Sequence, residues 1–242
     1  MTTRLRISKD WVYALGFGLL GLALRLWNLD TPKGKVFDEI YYATNAESLL
    51  QNGVEIDSES GLAQFIVHPP TGKWLIASGI KLFGYNEFGW RFAAAVVGSI
   101  SIVLMYFTAK KLFNNRLLSV LAASLISMDG LHLVHSRIAL LDIFLLFFIQ
   151  IAVLAFLHNR YWLTALALGL ACSVKWSGLY VLIALALYVL VLDIRRNRYL
   201  GVQFPIREMI RKNLLYRFLQ FGIFPVFIYI ASWFSWFASD KG

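Results

Sequence analysis

Two adjacent carboxylates, Asp38 and Glu39, follow the first apolar segment that is long enough to cross a bilayer. Acidic side chains at a membrane edge are costly unless they hold a ligand, a partner charge or a proton. Adjacent side chains on a helix diverge by roughly 100°, so this pair does not face one bond as the carboxylates of a hydrolytic glycosidase do. One carboxylate can therefore act as a base while the other binds or orients a group. The alternative is a solvated loop acid, or a charge at the N-terminus of a helix that begins near Ile40.

A second polar cluster runs from His68 to Lys73. Pro69 and Pro70 restrict the backbone and can start the helix that follows. His68 and Lys73 are candidate ligands for a phosphate or a carboxylate, and a simple helix-starting turn is the alternative. A zinc site is not expected, because the histidines lack close metal-ligand spacing and Cys172 is the single cysteine.

Other charged residues lie beside the ends of apolar segments. Arg91 begins the second predicted span, as a phosphate ligand or as an anchor that extends toward water. Arg137 and Asp142 are candidate site residues or an ion pair between two helices. Lys175 and Trp176 are candidate site residues or an interfacial anchor pair.

The composition indicates an all-α polytopic membrane protein. The chain is 59% hydrophobic and 15% charged, with a mean hydropathy of +0.63. Apolar runs recur at the length that crosses about 30 Å of hydrocarbon. They predict seven spans, at about residues 11–27, 92–107, 117–131, 138–157, 162–174, 179–192 and 218–237.

A large polar segment, residues 28–90, separates the first two predicted spans. Residues 40–50 and 72–82 have helical apolar spacing but are too short to span, so we expect helices that lie along the membrane surface. A loop is predicted over 53–61, and Met128-Asp129-Gly130 is predicted to form a turn near a helix end.

The basic residues cluster in short connectors, which is a topology signal and explains the net charge of +9 without nucleic-acid binding. Arg4, Arg6 and Lys9 precede an uncleaved first helix, which places the N-terminus in the cytoplasm. The connectors at 110–116, 158–160 and 195–217 then lie inside, whereas the 28–90 segment, residues 132–137 and residues 175–178 lie outside. Nearly all the candidate site residues therefore collect on the outer face, where a mixture of acids and cations suits an anionic lipid headgroup.

The order and spacing of four motifs closely resemble those of the protein O-mannosyltransferases, multispanning enzymes of the C-type glycosyltransferase superfamily. The resemblance covers about residues 11–236. The first two motifs are shared loosely with sister families such as the aminoarabinose and arabinose transferases, and the last two point to the protein mannosyltransferases. The motifs are Phe37-Asp38-Glu39, His68-Pro69-Pro70-Thr71-Gly72-Lys73, the segment from Ser136 to Asp142, and the segment from Ser173 to Gly178.

This resemblance implies inverting transfer of mannose from a polyprenyl or dolichyl phosphate to a serine or threonine hydroxyl of a translocated protein. Asp38 matches the catalytic aspartate of the family and is the expected base, while Glu39 is expected to orient the acceptor or a neighbouring cation. Arg25 and Arg91 match arginines of the first span and of the start of the second. Arg91 is the first expected phosphate ligand, and the assisting cations are expected among Lys73, Arg137 and Lys175.

The resemblance also implies partners and a location. The expected partners are the lipid-phosphate mannose, an acceptor protein, the lipid bilayer and the protein-export channel. No cofactor or divalent metal is expected, since the acid pair has few acidic neighbours. The expected location is the cell membrane, or the endoplasmic reticulum membrane in a eukaryote. Because family members have more spans, we expect residues 1–242 to form the N-terminal part of a larger membrane domain whose C-terminal spans are missing.

Two other hypotheses remain from the residues. The first is a sister transferase that moves a sugar from a lipid phosphate to a glycan or a lipid. The second is a transporter or a structural membrane subunit, which predicts discontinuous helices or charges near the middle of the membrane. The charges of this chain lie at the outer interface instead.

Overall fold

The computed structural model describes residues 8–57, 60–64 and 66–240, and most of these are helical. Arg4 and Arg6, used above to orient the first helix, lie outside the described residues. The helices are α1 (Lys9–Leu26), α2 (Glu39–Asn52), α3 (Thr71–Phe83), α4 (Glu87–Phe113), α5 (Arg116–Met128), α6 (Gly130–His135), α7 (Leu141–Leu157), α8 (Tyr161–Cys172), α9 (Gly178–Tyr199), α10 (Pro205–Ser232) and α11 (Phe234–Phe237).

The predicted all-α membrane architecture is confirmed. Each of the seven predicted spans overlaps at least one helix, and within the described part of the chain α4, α9 and α10 are long and apolar enough to cross a membrane. Helices α5, α7 and α8 are shorter and apolar. An isolated antiparallel bridge between Ile56 and Ala63 closes the loop that was predicted over 53–61.

Two helix starts differ from the prediction. Helix α4 begins at Glu87, where Asn86 accepts a hydrogen bond from the N–H of Gly89 at 2.9 Å, so Arg91 lies inside the helix instead of at its start. Helix α10 begins at Pro205 and not near residue 218, and it contains π-helical turns over Ile210–Leu214 and Leu219–Ile223. The first part of this helix is charged, so a prediction based on apolar runs placed its start too late in the chain.

The third predicted span, residues 117–131, is divided. Helix α5 ends at Met128, and the carboxylate of Asp129 accepts a hydrogen bond from the N–H of His132 at 2.6 Å, which caps the short helix α6. The turn predicted over Met128-Asp129-Gly130 is therefore present. Helix α6 itself was not predicted.

Helices α2 and α3 correspond to the two surface helices predicted at 40–50 and 72–82. Helix α2 packs against α3, and α3 packs against α4 and α7. Small residues on α2 let it approach α3 closely, and aliphatic residues of α3 fill the interface. This core also includes Phe144 of α7. Its buried members from α2 and α3 are Ala43, Ala46, Ile76, Ala77 and Ile80.

The N-terminus of α3 is held close to α7. A Cβ atom at Gly72 would lie 2.7 Å from Cδ2 of Leu141, closer than real contacts allow, and 3.1 Å from Cγ1 of Val174, which is a tight contact. Glycine at this position therefore lets the His68–Lys73 motif approach the segments that carry Asp142 and Lys175.

Candidate active site

Asp38 occupies the N-cap position of α2, but its side chain makes no capping hydrogen bond. Phe37 precedes it with a φ of +53°, a left-handed conformation that is rare for a bulky residue. Strained backbone of this kind is concentrated at functional sites. The carboxylate of Asp38 lines an open cavity of about 470 Å³.

The cavity collects polar and aromatic side chains from α2, from the loop that follows it and from the start of α3. The ring centroid of His68 lies 6.1 Å from that of Tyr42. The sequence predicted Asp38, His68 and Lys73 in this place, but not the other lining residues. The full lining is Asp38, Tyr41, Tyr42, Asn45, Gln64, Val67, His68 and Lys73.

Tyr42 lies one helical turn after Asp38, and both residues line the cavity. Burial, reinforced by the charges of Asp38 and Asp142, raises the pKa of Tyr42 to about 12. The phenol therefore stays protonated at neutral pH beside the Asp38 carboxylate. An aromatic residue four positions after an acid on a helix is the sequence signal that could have found it.

His68 is neutral at pH 7. Burial, together with the nearby Lys175 and Lys73 ammonium groups, holds its pKa below 6.5, and the Asp142 and Asp38 carboxylates only partly oppose this. These charges come from α2, α3, α7 and the segment after α8, so His68 lies where the four motifs meet.

Glu39 and Arg91 form a fully buried ion pair behind the cavity. Nε and Nη2 of Arg91 donate to the two oxygens of Glu39 at 2.8 Å each. The remaining Arg91 hydrogen bonds go to backbone carbonyls of Leu29, Pro32 and Gly34. Since a guanidinium has five N–H donors, none is left for a phosphate, and Arg91 does not line the cavity.

The same carboxylate also fixes two backbone segments. Glu39 accepts hydrogen bonds from the N–H of Val36 and from the N–H of Ala139, each at 2.8 Å. It thereby ties the strained turn before Asp38 to the segment between α6 and α7. The expected orienting of a neighbouring cation by Glu39 matches this geometry, whereas its carboxylate has no free side for an acceptor.

Lys73 lines the cavity but is almost fully buried and has its own partner. Its ammonium donates to both oxygens of Glu55, at 2.8 and 2.9 Å, and to the carbonyl of His68 at 3.0 Å. All three of its donors are therefore used. Burial lowers the pKa of Lys73 and raises the pKa of Glu55. The sequence offered no signal for Glu55 beyond its acidity.

Lys175 is the predicted cation with donors to spare. Its ammonium bonds to Oδ1 of Asp142 at 2.9 Å, and both side chains are partly exposed. The N–H of Thr71 donates to the carbonyl of Ser173 at 3.1 Å, which brings the third and fourth motifs beside the second. Asp142 thus pairs with Lys175, and the alternative of an ion pair with Arg137 is wrong.

Arg25 and Arg137 lie at the junction of α1 with α6 and do not line the cavity. Arg25 is fully buried; it donates to Oγ of Ser136 at 2.7 Å and meets Nδ1 of His132 at 2.9 Å. Arg137 donates to the carbonyls of Leu24, Arg25 and Asn28 and so caps the end of α1.

Trp176 also lies apart from the Asp38 cavity. It is largely exposed, and its indole N–H donates to the hydroxyl of Tyr229 at 3.2 Å. It borders a second, mostly apolar cavity of about 360 Å³ between α8, α9 and α10.

Residues of the first two motifs therefore line one carboxylate-containing cavity, and Asp142 and Lys175 of the other two motifs lie near its His68. The family model described as dolichyl-phosphate-mannose-protein mannosyltransferase matches residues 16–237, which include every motif. The chain belongs to this family. The resemblance inferred from the motifs is thereby confirmed.

Curated relatives agree with this assignment. The chain is 37% identical to the polyprenol-phosphate-mannose–protein mannosyltransferase of Mycolicibacterium smegmatis, over 96% of this chain and 51% of that protein. It is 30% identical to the protein of the same name from Corynebacterium glutamicum, over 96% and 51% respectively. The chain thus spans about half the length of the curated relatives it matches.

Solved structures support the fold. The S. cerevisiae protein O-mannosyltransferase Pmt1-Pmt2 complex bound to its sugar donor matches with a TM-score of 0.75 and 22% identity, covering 97% of this chain and 34% of that one. ArnT from Cupriavidus metallidurans, bound to undecaprenyl phosphate, matches with a TM-score of 0.64 and 20% identity, over 94% and 41%. These likenesses establish the architecture of the chain.

Within residues 8–57, 60–64 and 66–240, no group of three or more His, Cys, Asp or Glu side chains is placed to hold a metal ion. Metal independence stays a prediction.

Proposed function

We propose that this chain carries the catalytic face of a transferase that moves mannose from a polyprenyl phosphate to serine or threonine hydroxyls of proteins. The observation that carries the proposal is the state of Asp38. Its carboxylate lines the cavity, forms no ion pair with a described residue and lies beside the protonated phenol of Tyr42. The neighbouring acid Glu39 is instead fully occupied by Arg91 and two backbone N–H groups.

A serine hydroxyl is a weak nucleophile, so a carboxylate within hydrogen-bond reach accelerates its attack by accepting the proton. In the proposed step, the acceptor oxygen bonds to the anomeric carbon of mannose and its proton passes to Asp38. The bond from that carbon to the phosphate oxygen breaks, and the lipid phosphate leaves with the electron pair. Attack from the side opposite the phosphate inverts the anomeric configuration without a covalent enzyme intermediate.

Lys175 is the cation best placed to meet the leaving phosphate. Arg91 and Lys73 have no free donor, whereas Lys175 uses one of three and is partly exposed. Fixed positive charge beside a developing phosphate anion lowers the barrier. This reassigns to Lys175 the role first expected of Arg91, and leaves Arg25 and Arg137 as residues that hold α1 against α6.

The proposed setting follows the charge pattern of the connectors. The Asp38 cavity faces outward from the membrane, the N-terminus is cytoplasmic, and acceptor proteins arrive after translocation, with the export channel as a neighbour. The polyprenyl tail of the donor stays in the bilayer.

Membranes that express the chain should transfer mannose from polyprenyl-phosphate mannose to a serine-containing peptide. Lys175→Met should reduce the rate more than Arg160→Met, a matched loss of positive charge at the opposite end of α8. Transfer to a glycan or a lipid but not to the peptide would favour the sister transferases. Solute flux in proteoliposomes without any glycosyl transfer would overturn the proposal.

A further inference from the structure

The turn between α9 and α10 is strongly basic and compact. Seven basic residues lie between positions 195 and 217. The side-chain amide of Asn197 donates to the carbonyl of Pro205 at 3.1 Å, and the N–H of Val202 donates to the carbonyl of Asn197 at 3.0 Å. Gly201 provides a φ of +71° within this turn. The hydrogen bonds fix how the end of α9 faces the start of α10.

Arg196 interacts electrostatically with Asp193, and the other six basic residues of this turn divide into two groups. Arg211 and Lys212 form ion pairs with Glu208, and Arg217 pairs with Asp193. By contrast, the exposed guanidinium groups of Arg195, Arg198 and Arg207 make no hydrogen bond or ion pair with any residue in the described part of the chain. Unneutralised charge is thus concentrated at the tip of the turn.

Arg198 and Arg207 border the same cavity, of about 450 Å³. Arg198 comes from the last turn of α9, and Arg207 comes from the first turn of α10. Apart from Gln203, the rest of the lining is apolar, and its Phe204, Ile206 and Ile210 side chains are exposed. A guanidinium binds a phosphate through two parallel hydrogen bonds, so this cavity combines two phosphate-binding groups with an apolar lining.

The position of this turn relative to the membrane indicates which ligand the cavity binds. Both α9 and α10 are long and apolar enough to span a bilayer, so their shared turn lies at the headgroup level of one leaflet. Tyr199 at this turn is almost fully exposed, as expected of an aromatic residue at a membrane interface. Basic pockets between membrane helices bind anionic lipid headgroups.

This cavity is distinct from the Asp38 cavity. Helix α9 begins at Gly178, shortly after Lys175, and ends at the basic turn, and its 22 residues separate the two sites by about 33 Å at 1.5 Å per residue. A donor phosphate held at Lys175 therefore cannot reach Arg198 or Arg207.

We propose that Arg198 and Arg207 form a binding site for the headgroup phosphate of an anionic phospholipid in the leaflet opposite the Asp38 cavity. The acyl chains lie against Phe204, Ile206 and Ile210. The competing explanation is a general attraction of the whole basic turn to a negatively charged membrane surface. Basic residues that only set the orientation of the helices in the membrane do not require a cavity, whereas a specific binding site does.

Native mass spectrometry of the purified chain, titrated with phosphatidylglycerol or phosphatidylcholine, tests the site. Phosphatidylglycerol should bind at least about ten-fold more tightly, and Arg198→Gln with Arg207→Gln should weaken it by about five-fold per arginine, which corresponds to about 1 kcal/mol for each basic residue. Arg211→Gln is the matched control, because it removes the same charge from the same segment but outside the cavity. Inorganic phosphate in excess should not displace the lipid.

A second variant separates recognition from charge. Arg198→Lys with Arg207→Lys keeps the positive charge but loses the planar fork, so lipid binding should fall to a value between those of the wild type and the glutamine variant. Equal weakening by the glutamine pair and by Arg211→Gln, after scaling for charge, would overturn the site. So would equal affinity for the two lipids.

Discussion

Arg91 donates two hydrogen bonds of 2.8 Å to the carboxylate of Glu39, and both side chains are fully buried. Glu39 directly follows Asp38, so the interaction that holds Glu39 also holds the backbone of the proposed base. Val36 and Ala139 donate to the same carboxylate. The pair therefore positions Asp38 without touching the cavity, and it explains why two adjacent acids have such different surroundings.

Glu39→Gln should destabilise the protein strongly, because it leaves the Arg91 guanidinium buried without its counter-charge. Breaking a buried ion pair by removing one partner costs about 3–5 kcal/mol. Thermal unfolding in detergent measures the effect, with Glu87→Gln, an exposed acid of the same outer segment, as the matched control. Normal stability combined with weaker donor binding would instead return Arg91 to the role of a phosphate ligand.

Asp38→Asn should abolish most mannose transfer while leaving the fold intact. A positioned general base contributes a rate factor of about 10²–10⁴, and the side chain of Asp38 makes no capping hydrogen bond whose loss would unravel α2. Transfer to a peptide is measured beside the unfolding temperature. Asp30→Asn removes an exposed carboxylate of the same segment and should transfer normally. Near-normal transfer by Asp38→Asn would exclude this residue as the base.

The buried ion pair of Lys73 and Glu55 predicts that the single and the double variant differ in stability: the single variant should lose stability, and the second substitution should restore most of it. Lys73→Met alone should cost about 3–5 kcal/mol, because it leaves the Glu55 carboxylate buried and unpaired. Lys73→Met combined with Glu55→Leu should recover most of that loss, since apolar replacement of a whole buried pair is often neutral. Thermal unfolding of the single and double variants forms the cycle. Additive losses would show that the two residues stabilise the fold independently.

His68 should make the free energy of unfolding depend on pH. Its pKa in the folded protein lies below 6.5, mainly because of burial, so the unfolded chain binds more protons between the two pKa values. Stability therefore rises with pH through that window and is lost as pH falls through the folded pKa. Unfolding measured across this range should show the slope, and His68→Gln should reduce it. An unchanged slope in the variant would contradict the lowered pKa.

Chelation of divalent metals should leave transfer unchanged. The carboxylate beside Asp38 is fully engaged by Arg91, so Asp38 is the one acid among the residues that line the cavity, which is a small donor set for Mg²⁺ or Mn²⁺. Activity before and after EDTA treatment, with metal added back, is the measurement. Loss on chelation and recovery with one metal would establish a metal requirement.

The sequence by itself determined the helices, their order and the family. Apolar length and periodicity are local properties, so the spans at 138–157 and 179–192 and the surface helices at 40–50 and 72–82 could be predicted within a few residues. The motifs are also local, and they were sufficient to place Asp38 and His68 at one site. Charged segments were harder: the start of α10 was missed because Glu208 supports the helix through pairs with Arg211 and Lys212 rather than through apolar spacing.

Only the tertiary structure decided which charges are free to act. Arg91 lies 52 positions from Glu39, and Lys73 lies 18 positions from Glu55. Neither pairing can therefore be predicted from the periodicity of the sequence. Arg25 and Arg137 likewise find their partners across a helix junction. Whether a buried cation binds a substrate or holds the fold depends on how many of its donors are already satisfied. That number is set by long-range packing, and here it leaves Asp38 and Lys175 available.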